Sequence, residues 1–123
     1  MAISQQLTSA WHEILWYEVF VDILSKPSNQ EERYSDIEVE RKAMIDHHNS
    51  VAASDAILIC NFDKNGIVGY IWWSTLMEIG IAYHLKKKIF VLNDLPSDKQ
   101  LKYVQEVILV NPTIIHGDLS KIQ

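Results

Sequence analysis

At 123 residues with 48% hydrophobic and 22% charged content, the chain is sized for one compact domain, residues 1–123, and is too apolar for a disordered tail. A net charge of -5 and a pI near 5.4 argue against a binder of duplex nucleic acid, which carries a basic stripe or patch. No apolar run reaches the roughly 18 residues of a membrane span and the amino terminus lacks signal-peptide order, so no membrane partner is expected. Cys60 is the only cysteine, which rules out an intrachain disulfide; its apolar run implies a buried, inert thiol and a cytoplasmic location.

Leu7, Trp11, Ile14 and Leu15 recur at three- and four-residue spacing and predict a helix from Ile3 to Trp16. The β-branched and aromatic run from Glu18 to Leu24 reads as a strand, closed by the loop signal Lys26-Pro27-Ser28-Asn29 and a polar loop to Tyr34. Ser35 three residues ahead of Glu38 matches a capping box, which predicts a helix from there to about Ala53. On it Ile37, Met44 and Val51 share a core-facing stripe. His47 and His48 project about 100 degrees apart and lack further ligands, so they do not read as a metal site.

Asp55 to Cys60 and Ile89 to Asn93 are short, continuous apolar runs, as in strands covered on both faces. Between them lie a long loop with an Asn65-Gly66 turn and a helix from Ser74 or Thr75, either of which can cap it, to about Leu85. The Lys86-Lys87-Lys88 run reads as a solvated helix end, where cations complement the dipole. Ser97 is expected to cap a last helix, Asp98 to Ile108, before a short strand from Thr113 to His116. This alternation implies an α/β fold in three layers, with a mainly parallel sheet of about four strands flanked by helices.

Glu78 is the acid inside the apolar helical stretch Thr75 to Tyr83. Four residues from Ser74, it is placed in the first turn or so, where the helix dipole favours an ionised carboxylate. Near the carboxyl ends of parallel strands such a group can attack an electrophilic carbon or steady a positive charge, and either act suits cleavage of a glycosidic bond. Spacing alone selects Asp63, beyond the strand, as the second acid in preference to Asp55 at its start. The plain structural alternative is that Glu78 stabilises a helix end or pairs with a lysine.

The blocks Ser54 to Asn61, Asp63 to Gly66, Gly69-Tyr70-Ile71, Thr75 to Gly80, Lys87 to Asn93, and Asn111-Pro112 to Leu119 resemble, in order, the nucleoside 2-deoxyribosyltransferase-like family. The resemblance covers roughly residues 35 to 121. It implies a flavodoxin-like or Rossmann-like sheet and cleavage of a nucleoside or nucleotide N-glycosidic bond, or 2-deoxyribosyl transfer, without metal or organic cofactor. It assigns Glu78 as the nucleophile and favours Asp55 over Asp63 as the acid that holds and protonates the base. Substrate contacts are expected from Ser4, Asn61, Asp63, Gly69, Tyr70, Trp72, Trp73 and Ser74.

The chain departs from the family pattern in two places. It starts at what reads as the sugar-contacting loop, Ala2-Ile3-Ser4, without the family's first strand, so rearrangement, a partner chain or upstream residues are expected to close the sheet. Trp72-Trp73-Ser74 also stands where similar loops read Gly-Gly-Asn. The two indoles can stack on a base, plug the pocket or make a subunit contact. With Trp11 and Trp16 on the first helix they point to a homo-oligomer. The alternative function is a catalytically impaired nucleotide-binding or protein-assembly module of the same fold.

Overall fold

A computed structural model describes Ile3, Gln5, Gln6 and residues 30–122. Those first three residues are helical; the rest of the expected first helix, the expected strand from Glu18 and the expected contact residues Trp11 and Trp16 lie outside the described residues. The chain divides into two compact units, Met1–Ala53 and Ser54–Gln123.

The described part of the first unit is mainly one 24-residue helix, α1 (Gln30–Ala53). It starts five residues before Ser35, so Ser35 and Glu38 lie inside the helix and do not mark its start. The stretch Gln30-Glu31-Glu32-Arg33 consists of good helix formers without glycine or proline, and this propensity carries the helix upstream through the expected loop. Of the expected stripe, Val51 is buried and Met44 half-buried, whereas Ile37 is exposed. Val39 and Ile45 are exposed as well, so the apolar residues are spread around the helix. Arg41 donates to Glu38 one turn earlier, a surface pair worth about 0.3–0.5 kcal/mol.

The second unit is a small α/β fold. Its elements are β1 (Ala56–Ile59), α2 (Trp73–His84), β2 (Lys88–Val91), α3 (Val104–Leu109) and β3 (Thr113–Ile114), followed by a 3-10 turn at Leu119–Lys121. The strands form one parallel sheet in the order β1-β2-β3, with Ala56 opposite Lys88 and Phe90 opposite Thr113. Backbone bonds extend the pairing past the strand ends, from Leu92 N–H to Ile59, Ile115 N–H to Val91 and Gly117 N–H to Leu92. The fourth expected strand is the one outside the described residues.

Helix α2 packs on β1 and β2. Ile79 and Ala82 from the helix, Ile59, Ile89, Phe90 and Val91 from the strands, and Ile71, Val104, Val107 and Ile115 are all buried. Each such aliphatic side chain contributes about 1.5–3 kcal/mol on burial. The central strand β2 is buried from Ile89 to Val91, as expected of a parallel strand covered on both faces, whereas Ala56, Ile57 and Leu58 of β1 are only half-buried.

Two helix starts differ from expectation for local reasons. Helix α2 begins at Trp73, with Trp72 in extended conformation at the cap and no side-chain cap bond, so neither Ser74 nor Thr75 caps it. Ser97 accepts Lys99 N–H through its hydroxyl and the N–H groups of Gln100 and Leu101 through its carbonyl, closing a separate turn; α3 starts only at Val104.

At its other end α2 closes with paired bonds, Lys87 N–H to Ala82 and Lys86 N–H to Tyr83, and Lys86 adopts φ +60. This is the left-handed helix stop that glycine usually supplies, and a side chain there costs about 1–2 kcal/mol. Cys60 stands exposed as a residue just past β1, which corrects the expectation of a buried residue, while partial burial of its sulfur pushes the thiol pKa up. Among the described residues no helix is long and apolar enough to cross a membrane.

Candidate functional site at the carboxyl edge of the sheet

In a parallel sheet the chain leaves every strand on one edge, and ligands of open α/β folds bind there. Here that edge collects Asn61 after β1, Asn93 and Asp94 after β2, and His116 and Gly117 after β3. Asn61 organises it. Its buried side-chain amide donates to the carbonyls of Asn93 at 3.0 Å, Asp94 at 3.1 Å and Gly69 at 3.3 Å, and its Oδ1 accepts Asn93 N–H at 2.8 Å. The Asn93 side chain returns a bond to the Asn61 carbonyl at 3.2 Å. The resulting clasp ties the ends of β1 and β2 to the long loop, and the Asn61 amide is committed to protein groups.

The loop between β1 and α2 is built on two local devices. Lys64 and Ile67 exchange backbone bonds of 3.0 and 2.9 Å around Asn65 at φ 53 and Gly66 at φ 77, the two positive angles of a tight hairpin turn. Gly69, at φ +72, then approaches the Asp94 carbonyl so closely that an added Cβ would lie 2.2 Å from that oxygen. Only glycine fits both the angle and the space. Its N–H donates to Asp63 Oδ1 at 3.0 Å, which gives the exposed Asp63 carboxylate a fixed position on this edge.

Aromatic side chains line the loop's end. Lys64 Nζ lies 3.2 Å above the Trp72 ring, a cation–π contact, and Tyr70 meets Trp72 edge-on at 5.5 Å. Trp73, 68% exposed, leans on Tyr103 with ring centres 4.6 Å apart. The Tyr103 hydroxyl donates to the Ile71 carbonyl, and its pKa is pushed up to about 12 by burial and by hydrogen bonding and charge repulsion with Tyr70. Beyond β3, His116 Nδ1 and Asp94 Oδ1 stand 3.1 Å apart, both well exposed.

Glu78 is buried at the sixth position of α2, beside Ile79 on the helix face that also buries Ala82. It falls in the second turn, about 7.5 Å along the axis from Trp73, so the helix dipole that acts over the first turn contributes less than expected. Ser74, half-buried, is the second helical residue. Asp55 is exposed in the bend before β1 and accepts Lys88 N–H through its carbonyl at 3.3 Å. It and Asp63 therefore lie beyond opposite ends of β1, whose four residues rise roughly 13 Å. Ser4 lies outside the described residues.

The structure thus groups Asn61, Asp63, Gly69, Tyr70, Trp72 and Trp73 around one edge and puts Asp55 on the other. Sequence reading passed over Asn93, Asp94, Tyr103 and His116. Asn93 carried a usable signal, a polar residue directly after a buried strand, as Asn61 is after β1. Tyr103 carried none, since its partner Ile71 is remote in sequence. Among the described residues no group of three or more His, Cys, Asp or Glu could hold a metal ion. No family model, curated protein or solved structure matches the chain.

Proposed function

We propose that the chain cleaves the N-glycosidic bond of a nucleoside or nucleotide, or transfers its 2-deoxyribosyl group, with Glu78 as nucleophile on a flavodoxin-like or Rossmann-like sheet. The observation that carries this reading is a buried carboxylate on the helix that leaves the carboxyl edge of a parallel βαβ unit. A Glu78 oxygen bonds to the anomeric carbon as the carbon–nitrogen bond breaks; the electron pair leaves with the base, which takes a proton from an acid. Water or a second base then attacks the same carbon and frees Glu78.

Two acids compete for the proton-donor role: Asp55 through the family resemblance, and Asp63 through its place on the carboxyl edge. Incubation with deoxynucleosides and chromatography of the free base test the reading. Wild type should release base, Glu78→Ala should not, and whichever of Asp55→Asn or Asp63→Asn loses most activity identifies the acid. No release by wild type, or undiminished release by Glu78→Ala, rejects it.

The second reading is a nucleotide-binding or assembly module of the same fold without turnover. It is favoured by the Trp72-Trp73 pair, held by Lys64, Tyr70 and Tyr103 at the mouth of α2. Ligand-dependent thermal stabilisation, or a stable dimer, without base release would select it.

A further inference from the structure

We propose that a groove on the opposite, amino edge of the sheet binds a multiply charged phosphate group, carried by a small molecule. The groove measures about 670 Å³ and is lined by Lys86, Lys87 and Lys88 together with Tyr83, Phe90 and Asn111 among others. That volume lies within the ~300–1,000 Å³ of small-ligand sites. A chain of net charge -5 thus concentrates three consecutive cations in one recess. Among the described residues neither Lys86 nor Lys87 pairs with a carboxylate, and Asp55, on the same edge, is not part of the groove's lining.

Backbone conformation shows that the groove is lined at a cost. Lys86 ends α2 at φ +60 and Asn111 follows α3 at φ 50, both left-handed positions where glycine is the cheaper residue. Two helix stops that could have been bare instead place an ammonium and a carboxamide in the same recess. The negative end of the α2 dipole, which would oppose an anion, is blunted because the carbonyls of Ile81, Ala82 and Tyr83 already accept the N–H groups of Leu85, Lys87 and Lys86. Lysines act on phosphate as point charges, and several in series suit a ligand with several charges. The buried Phe90 and the Tyr83 ring supply apolar surface beside them.

The proposal is independent of glycosidic chemistry and is tested by binding alone. Full-length protein is titrated in amide-resolved NMR with sodium tripolyphosphate, with ATP, with adenosine and with an oligoglutamate peptide. Tripolyphosphate and ATP should shift the backbone amides of residues 83–88, Asn111 and Thr113, with affinity falling as salt rises, while adenosine should leave them unmoved. Tighter binding of ATP than of tripolyphosphate assigns the site to nucleotides; equal binding assigns it to the phosphate chain.

The double variant Lys86→Gly/Lys87→Gln suits the left-handed stop and should weaken binding roughly 25-fold, about fivefold per cation at contact distance in water. A purely structural role for these lysines would show instead as a lowered melting temperature with binding intact. Absence of shifts in these segments, affinity unchanged in the double variant, or tighter binding of oligoglutamate than of tripolyphosphate would overturn the proposal.

Discussion

The two edges of the same three-stranded sheet solve opposite problems. At the carboxyl edge, the buried amide of Asn61 and the half-buried amide of Asn93 bond to backbone across β1, β2 and the long loop, and Gly69 is pressed against the Asp94 carbonyl. At the amino edge, Lys86, Lys87 and Lys88 line a recess. A polar group that satisfies its partners within the protein builds rigid geometry, whereas charges such as Lys86 and Lys87, which pair with no carboxylate among the described residues, leave capacity for a ligand. The first edge should therefore be sensitive to mutation in stability, the second in binding.

The largest expected effect is at Gly69. Gly69→Ala forces a left-handed angle on a side chain and drives a Cβ into the Asp94 carbonyl, so chemical denaturation should show a loss of roughly 3–5 kcal/mol. Asn61→Ala leaves the Asn93 N–H and the buried Gly69 carbonyl without their partner and should lose roughly 2–4 kcal/mol by the same measurement. If either variant melts like wild type, the clasp does not hold this edge together.

Tyr103 sharpens the contrast through pH. Its folded pKa lies above the ordinary tyrosine value of 10.0, so the fold favours the neutral phenol; the stability it supplies is complete below that value and is lost as pH rises through about 12. Tyr103→Phe should lose about 1 kcal/mol near neutrality with its bond to Ile71, and should flatten this alkaline slope in melts read against pH. The smallest effect is expected at the opposite edge. Lys86→Gly should leave stability unchanged or raise it by up to about 1 kcal/mol, since it relieves a left-handed side chain. A clear loss would mean that the lysine holds the helix end.

Much of the second unit was legible in the sequence because its signals are short-range. Continuous apolar runs marked β1, β2 and β3 within a residue or two, and Asn65-Gly66 marked the tight turn. Helix starts were less legible. The Ser35/Glu38 pattern was overridden by good helix formers upstream, and Ser97 closed a local turn in place of a helix. Cys60, in an apolar run, emerged exposed because the strand ends one residue earlier.

The candidate site was legible only in parts. Glu78 was singled out by its apolar neighbours and is buried, but its turn within α2 depended on a helix start that Ser74 did not supply. The Asn61–Asn93 clasp joins residues 32 apart in the chain, and no local pattern encodes that pairing. The separation of Asp55 from Asp63 follows from strand direction, which became specific once the parallel register was known.

The role proposed for Glu78 is tested most directly by trapping. Protein incubated with a 2′-fluoro nucleoside, whose fluorine slows hydrolysis of a glycosyl ester, is digested and its peptides weighed by mass spectrometry. A sugar adduct on the peptide containing Glu78, absent from Glu78→Gln, is the expected result; base release with no adduct, or an adduct on another residue, would contradict it.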